Sequence, residues 1–428
     1  MWSKVYLVAA AAVGVMALQA SPAPATQQEP TNRAPEAVPA HTEQRAVRVL
    51  PDRRAAVLPA AETGPFSMLG VTWDDPESAL VGRVEVRTRD ALTGAWTEWR
   101  RLDGDDGRSE ESARRGGTDP LWVGPSNGAE VRIAADADQA AGLPAGLRLD
   151  LIDPRAASAP QTGPETVTQG APGTSAAAPR PAIVSRAGWG ADESISPASA
   201  VYTPSGKIKA FVVHHTAGSN NFTCAQAPSV IRGVFAYHVQ QLGWRDIGYN
   251  FLVDTCGTIY EGRKGGVDRA VLGAHTYGFN SQTSGVAVLG DYSTKAPPAA
   301  VTSALSKLAA WKLGQYSVKP NTTTTLAAGA DGGNYFHKTW KLNASLSFPT
   351  IFGHRDGFNT ECPGDKLYAA LPAIRSQAAA VRTTAAEEVD GQASSPTLVA
   401  ADDTAATGTA ATDTLSHDAA AHGSTSTG

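Results

Sequence analysis

The stretch "KIKAFVVHHTA", residues 207–217, decides the fold, because it is a short apolar run that ends in two histidines. A run of this kind predicts a buried β-strand. Neighbouring residues of a strand point to opposite faces, so His214 and His215 cannot both face the same site. The stretch therefore predicts a core strand that carries one imidazole into a site at its end.

Around this strand, predicted strands and helices alternate along the chain. The predicted strands are "YNFLVDTCGTIYEGR" (249–263), read as two strands joined at Thr255-Cys256-Gly257, and "GVAVLGDY" (285–292). The predicted helices are "PSVIRGVFAYHVQQLG" (228–243), "PAAVTSALSKLAAWKLG" (298–314) and "KLYAALPAIRSQAAAV" (366–381). Alternation of this kind indicates an α/β domain with a central mixed β-sheet flanked by helices, over residues 181–382.

Residues 45–154 have a different pattern. In "RVEVRTRD" (83–90), apolar and polar residues alternate with a period of two, and three later segments repeat the pattern. This indicates a small all-β, sandwich-like domain. Four tryptophans lie in it, Trp73, Trp96, Trp99 and Trp122. They either line a sugar-binding face or fill the core of a small domain.

The remaining segments do not predict folded domains; they resemble a signal peptide, linkers and a disordered tail. Residues 1–25 resemble a secretory signal peptide, with an apolar run that is short for a transmembrane helix, so we expect no stable membrane span after cleavage. The alternative is an uncleaved membrane anchor. Residues 26–44 and 155–180 are rich in Pro and Ala and predict linkers, and residues 383–428 predict a disordered tail. The net charge of -5, without a block of Lys or Arg, argues against a nucleic-acid partner.

The three cysteines leave one unpaired thiol after one disulfide forms. Cys224 lies just before the first predicted helix and Cys256 lies in the turn between two strands, so a bridge between them is reasonable. Cys362 is then free. In an oxidising compartment, a free thiol is expected to be buried, catalytic or bound to a metal.

Cys362 stands eight residues after His354 in "FGHRDGFNTECPGD" (352–365). Thiolate and imidazole are preferred zinc ligands, and a catalytic zinc site keeps an open position beside three protein ligands. The third ligand would be one of the two histidines at the end of the strand. The alternative is a thiol hydrolase in which Cys362 is the nucleophile and a histidine is the base.

Six sequence blocks between about residues 180 and 378 together match the pattern of a known family. They are "SRAGWGA", "VVHHTAG", "AYHVQQLGWRDIGYNFLVD", "GTIYEGR", "GAHTYGFNSQTSGVAVLGDY" and "GHRD…TECPGDKLYAALPAIR". In this order they resemble the peptidoglycan recognition protein family, which is akin to the zinc-dependent type 2 N-acetylmuramoyl-L-alanine amidases. The preceding β domain is similar to one found before such domains in actinobacterial proteins.

The resemblance implies one catalytic Zn²⁺ held by His214, His354 and Cys362, with Tyr249 and Thr360 as catalytic groups. It implies an enzyme that cuts the amide between N-acetylmuramic acid and L-alanine in peptidoglycan. Together with the signal-peptide pattern, this leads us to expect a secreted protein of the cell wall, and we expect it to be a monomer. The alternative for Tyr249 is an aromatic residue of the core whose hydroxyl is hydrogen-bonded to the backbone.

Three further residues are expected near the substrate groove: His215, Thr216 and His275. His275 could instead brace the loop of residues 273–280 together with Asn280. A module of the same fold that binds peptidoglycan without cutting it remains an alternative to the enzyme. Members of the family that only bind typically lack the ligand cysteine, which this chain retains.

Overall fold

The computed structural model describes residues 38–104, 113–136, 142–155, 178–197 and 199–393. The predicted signal peptide and most of the predicted linker and tail segments lie outside these residues. At two places the described elements extend past the predicted boundaries. The first strand begins at His41, inside the predicted linker, and the last helix continues to Ala393, beyond residue 382.

In the β domain, the described residues between 38 and 155 form one antiparallel sheet of eight strands. The strands are β1 His41–Ala46, β2 Arg48–Val49, β3 Ala55–Trp73, β4 Gly82–Asp90, β5 Arg100–Leu102, β6 Gly116–Gly117, β7 Leu121–Ala135 and β8 Arg148–Asp153. Their order is β1-β8-β3-β7-β4-β5, with β2 and β6 paired to β3. The prediction of an all-β domain is confirmed.

The four tryptophans of the β domain separate into two pairs. Trp73 and Trp122 are buried, as expected of core residues. Trp96 is 36% exposed, and the guanidinium of Arg87 lies over its ring and over that of Trp99. Neither of the two interpretations from the sequence therefore applies to all four residues.

The α/β domain, residues 178–393, is built on a six-stranded mixed sheet of order β18-β10-β13-β11-β12-β9. Its elements are β9 Ile183–Val184, β10 Ala210–His215, α1 Ala227–Ala236, β11 Phe251–Val253, β12 Ile259–Glu261, β13 Thr283–Val288, α2 Ala299–Gly314, β14 Thr323–Ala327, β15 Gly332–Gly333, β16 Thr339–Trp340, β17 Ser345–Pro349, β18 Ile351–Gly353, α3 His354–Gly357 and α4 Asp365–Ala393. The prediction of a central mixed sheet flanked by helices is confirmed.

The helices cover both faces of this sheet. Apolar residues of α2 and α4 share one core with alternate residues of β10, β11 and β13, and α1 covers the opposite face. After Ala236 the chain continues as a π-helical turn, Tyr237–Gln241, so the single helix predicted over 228–243 has two parts. Among the described residues, no helix combines the length and the apolar character needed to cross a bilayer.

The two domains pack directly against each other. In β3, Leu69, Val71 and Trp73 point into the core of the β domain, whereas Met68 belongs to the core that surrounds α1. Ile152 of β8 also belongs to the core around α1. Because alternate residues of a strand face opposite sides, both sides of these strands are buried.

At two glycines, the backbone lies so close to a side chain of the other domain that there is no room for a Cβ atom. A Cβ atom at Gly70 would lie 2.4 Å from the ring of Tyr237, and one at Gly233 of α1 would lie 2.9 Å from the sulfur of Met68. Polar contacts add to the packing. Gln44 donates to Gln241, and the backbone N–H of Ser219 donates to the carbonyl of Trp122. The predicted linker therefore connects two domains that share an interface.

Candidate metal centre

Two distant segments of the chain meet at the carboxyl end of β10. His214 is the next to last residue of β10, His354 begins α3 directly after the neighbouring strand β18, and Cys362 follows eight residues later. One ligand atom from each side chain lies within 4.8 Å of the other two. Parallel pairing of β10 with β18 brings the two strand ends together, so the topology places both imidazoles at one edge of the sheet.

The sulfur of Cys362 lies among polar groups of the same strand end. It is 3.8 Å from Nδ1 of His214 and accepts a hydrogen bond from the backbone N–H of His215 at 3.4 Å. Nε2 of His354 is buried, with no hydrogen-bond partner among the described residues. Two imidazoles, a thiol and one unsatisfied ring nitrogen form a donor set that fits a zinc ion.

Burial controls the protonation of all three side chains. It lowers the pKa of His214 well below its usual value and that of His354 to about 3, and nearby imidazoles add to both effects. Burial also raises the pKa of the Cys362 thiol well above its usual value. At neutral pH the imidazoles are therefore neutral, as metal ligands must be, and the thiol keeps its proton until a cation displaces it.

His275 contacts the ligand histidine rather than the open groove. Its Nδ1 lies 3.1 Å from Nε2 of His214, the ring nitrogen that faces away from the sulfur, and 3.1 Å from the hydroxyl of Thr276. Asn280 also braces this loop, because its side-chain oxygen accepts from the backbone N–H groups of His275 and Thr276. Such a contact fixes the orientation of a ligand imidazole.

His215 and Thr216, both expected near substrate, are buried in bonds to the segment that follows β13. Nδ1 of His215 accepts from the backbone N–H of Tyr292 at 3.2 Å, and the hydroxyl of Thr216 accepts from that of Gly290 at 2.9 Å. Burial lowers the pKa of His215 to about 4. The structure therefore gives both residues a role in holding the strand ends together.

Tyr249 and Thr360 flank the three side chains. The ring of Tyr249 lies 5.3 Å from that of His214, and its residue is 8% exposed. The hydroxyl of Thr360 accepts from the backbone N–H of Cys362 at 3.1 Å. Both residues that the resemblance assigns to catalysis are thus next to the candidate ligands.

Two supporting contacts have no signal in the sequence. Phe358 stacks on His354 with ring centroids 5.6 Å apart and an angle of 15° between the planes. Buried His238 stacks on Trp244 and accepts from the backbone N–H of Gly248, next to Tyr249. His238 also contacts the ring of Tyr249, with centroids 5.8 Å apart, so both rings pack against candidate site residues, and the tertiary structure shows which ones.

The other two cysteines are joined in a disulfide. Cys224 and Cys256 are bonded, with their Cα atoms 6.2 Å apart, and the bridge ties the start of α1 to the turn between β11 and β12. Cys362 remains a free, buried cysteine. The pairing expected from the cysteine count is present in the structure.

Two clefts open beside the candidate site and meet at Tyr277. The first, of about 640 Å³, lies within the α/β domain and is lined by Arg245, Arg263 and Lys264 among others. The second, of about 550 Å³, lies between the two domains and reaches Thr360. The second cleft therefore reaches Thr360 and Glu361, the two residues directly before Cys362.

Comparison with known proteins gives a consistent result. A family described as N-acetylmuramoyl-L-alanine amidase matches residues 204–365, and one described as Rv3811 N-terminal galactose-binding domain-like matches residues 17–169. Peptidoglycan-recognition protein SC2 of Drosophila simulans is 32% identical over 187 residues, 44% of this chain and 82% of that protein.

Two further proteins extend the comparison. Peptidoglycan recognition protein 1 of Bos indicus is 34% identical over 187 residues, 44% of this chain and 80% of that protein. The solved structure of wild-type Drosophila PGRP-LB has 26% identity and a TM-score of 0.34, and covers 44% of this chain and 91% of that chain. By its sequence the chain belongs to the peptidoglycan recognition protein and type 2 amidase family.

Proposed function

We propose that this protein is a zinc-dependent N-acetylmuramoyl-L-alanine amidase that hydrolyses the amide between N-acetylmuramic acid and L-alanine in peptidoglycan. The observation that supports the proposal is the convergence of His214, His354 and Cys362, with their ligand atoms within 4.8 Å of one another. A family member that only binds peptidoglycan has no use for this set of ligands.

The donor set fits zinc in number and in kind. His214, His354 and Cys362 would hold the ion and leave a fourth position open. When bound, the ion supplies Lewis-acid activation of a water molecule and of the substrate carbonyl. His275 would keep the His214 ring in one orientation through the contact between Nδ1 and Nε2.

The remaining groups act on the substrate. As water adds to the carbonyl carbon, negative charge develops on the carbonyl oxygen, and we assign the hydroxyl of Tyr249 to donate a hydrogen bond to it. Thr360 accepts from the backbone of Cys362, so its own O–H is left to donate towards the substrate. Hydrolysis leaves a carboxylate on the lactyl group and a free amine on L-alanine.

A thiol hydrolase is less consistent with the electrostatics. The nucleophile in such an enzyme is the thiolate, which requires a lowered pKa. Burial instead raises the pKa of Cys362 well above its usual value, and the nearest imidazole nitrogen, Nδ1 of His214, is 3.8 Å from the sulfur. Stabilisation of a thiolate here requires a cation.

The proposal is tested with a defined muropeptide, metal analysis and mass spectrometry of the products. Wild-type protein is expected to hold one zinc and to release intact peptide, to lose activity with a chelator and to regain it with Zn²⁺. Cys362→Ser and His354→Asn are expected to lose at least about 100-fold in kcat/KM. His41→Asn, at an exposed histidine of β1 in the β domain, is the matched control.

Either of two results would reject the enzyme. Full activity after complete removal of metal would support the thiol mechanism. One zinc per chain without turnover of any muropeptide would support the module that binds but does not cut.

The proposal includes a secreted monomer of the cell wall, with residues 1–25 removed on export. The intact mass of protein recovered from culture medium tests the cleavage. Light scattering on the same material tests the oligomeric state.

A further inference from the structure

The cleft between the two domains is not explained by the metal centre. On the β-domain side Arg101, Asp103 and Gly104 line it, and on the α/β side Tyr335, Phe358 and Thr360 do. Its lining includes Glu361, the residue before Cys362, and it shares Tyr277 with the first cleft. A ligand that reaches past Cys362 from the candidate metal centre therefore enters a space that the β domain helps to enclose.

The β domain holds its side of the cleft in a fixed position. Met68 and Ile152 are buried in the core around α1, and the Ser219–Trp122 backbone hydrogen bond ties the loop after β10 to β7. Asp103 accepts a backbone hydrogen bond from Asp119, so the segment of Arg101 and Asp103 is anchored at the edge of the sheet. Both walls belong to one packed unit, so a ligand can contact them at the same time.

The charges of the two clefts differ. The first cleft is lined by Arg245, Arg263 and Lys264 with Asp246 as its one acidic residue, and Lys264 is ion-paired with Glu193 outside the lining. The second is lined by one guanidinium, Arg101, and four acidic residues, Asp103, Asp136, Asp331 and Glu361, of which Asp331 is ion-paired with Lys341. Stem peptides carry free carboxylates and are attracted to the first cleft and repelled by the second. N-acetyl sugars are neutral, and their hydroxyl groups donate to carboxylate oxygens.

The second cleft also offers aromatic surface. Tyr335 is 38% exposed and is held in place by the Arg355 guanidinium over its ring, and Phe358 is half-buried beside it. Pockets that bind small uncharged molecules combine apolar rings with a few fixed polar groups. Rings of this kind pack against the C–H faces of pyranose sugars.

From this combination we propose that the cleft between the domains is a glycan subsite, which binds the neutral sugars that flank the N-acetylmuramic acid under attack. The proposal rests on the proposed function. The scissile amide lies at the metal centre, the peptide extends into the basic cleft, and the glycan chain extends between the domains. The β domain is then part of the substrate-binding surface.

Gly104 provides a sharp test. Among the described residues other than its chain neighbours, a Cβ atom there meets no atom within 4 Å, so Gly104→Trp adds a bulky side chain to the cleft from a position with room for its Cβ. Leu92→Trp, at a residue 88% exposed on a turn of the same domain, is the matched control. Two substrates carry the same stem peptide, one on a single N-acetylmuramic acid and one on a tetrasaccharide.

For Gly104→Trp we expect kcat/KM on the tetrasaccharide substrate to fall about tenfold or more, while kcat/KM on the monosaccharide substrate stays within about twofold. Leu92→Trp should match wild type on both. Equal losses on both substrates, or no loss on either, would overturn the subsite. Arg101→Ala, with exposed Arg83→Ala as its control, gives the same test without added bulk.

A binding measurement separates this proposal from the proposed function. Zinc-free wild-type protein is titrated with the tetramer of β-1,4-linked N-acetylglucosamine, which has no amide to the stem peptide. Binding that Gly104→Trp abolishes and Leu92→Trp preserves supports the subsite even where no hydrolysis is found. Wild-type protein that does not bind the tetramer, or binding unaffected by Gly104→Trp, overturns the subsite even for an active amidase.

Discussion

Gly70→Ala tests whether the two domains pack in solution as they do in the structure. The added Cβ would lie 2.4 Å from Cε2 and 2.5 Å from both Cζ and the hydroxyl oxygen of Tyr237. Carbon atoms in contact prefer separations of about 3.5–4.0 Å, so the ring must move by about 1 Å. Tyr237 is fully buried, and its hydroxyl donates to the carbonyl of Val71 at 3.4 Å. The ring therefore has little room to move.

Overpacking of this kind costs about 1–3 kcal/mol. For domains of this size, each kcal/mol corresponds to about 2–4 °C in Tm, so we expect Gly70→Ala to lower Tm by several degrees. Gly104→Ala is the matched control, because it makes the same chemical change in the same domain at a position where the Cβ is free. Scanning calorimetry of the full chain measures both.

A double-mutant cycle identifies the origin of the effect. If the clash is with Tyr237, Tyr237→Leu should recover about 0.5–3 kcal/mol of the cost of Gly70→Ala. The reasoning is refuted if Gly70→Ala melts like Gly104→Ala, or if its cost is unchanged in the Tyr237→Leu background. Either result would mean that the interface is not formed as described.

Three further predictions concern the metal centre and the interface. At pH 7, binding of Zn²⁺ should release about one proton in excess of any released by the bound water, because the thiol of Cys362 is protonated and both ligand imidazoles are neutral. Calorimetry in buffers of different ionisation enthalpy measures the number of protons released. In Cys362→Ser this additional proton release should be absent. His275→Asn should weaken zinc affinity about 10–100-fold, measured by competition with a chelator; unchanged affinity would mean that His275 does not hold His214 in place. Burial raises the pKa of Asp150 from 3.8 to about 6, so its contribution to stability is present below pH 4 and is lost as the pH rises through 6. The unfolding free energy of wild type should therefore fall by about 2 kcal/mol relative to Asp150→Asn between pH 4 and pH 8, and a pH-independent difference in urea titrations would contradict this.

The sequence predicts the candidate metal site better than its surroundings. His354 and Cys362 lie in one short loop, and the apolar run before His214 predicts its strand. Prediction of the three ligands therefore requires only these two local segments. The contact of His275 with His214 joins residues 61 apart in the sequence, and the stacking of Phe358 on His354 depends on the path of the chain after α3. Such contacts arise from tertiary packing, and no local periodicity encodes them.

The sequence does contain a signal for the docking of the β domain. The signal is a continuous apolar run, which differs from the alternation of apolar and polar residues that identifies the other strands. In β4, buried and more exposed residues alternate through Val84 and Val86, as expected of a strand with one face towards solvent. The second half of β3 is different, because every residue from Met68 to Trp73 is buried. An antiparallel strand without a polar face requires a second layer of protein over it. In this chain the second layer is α1 of the α/β domain and the π-helical turn after it, which carries Tyr237 over Gly70. The same contact that buries this face also fixes the β domain beside Thr360 and encloses the cleft between the domains. In this chain, an apolar run in the antiparallel domain therefore marks the contact that encloses the proposed glycan subsite as well as the core.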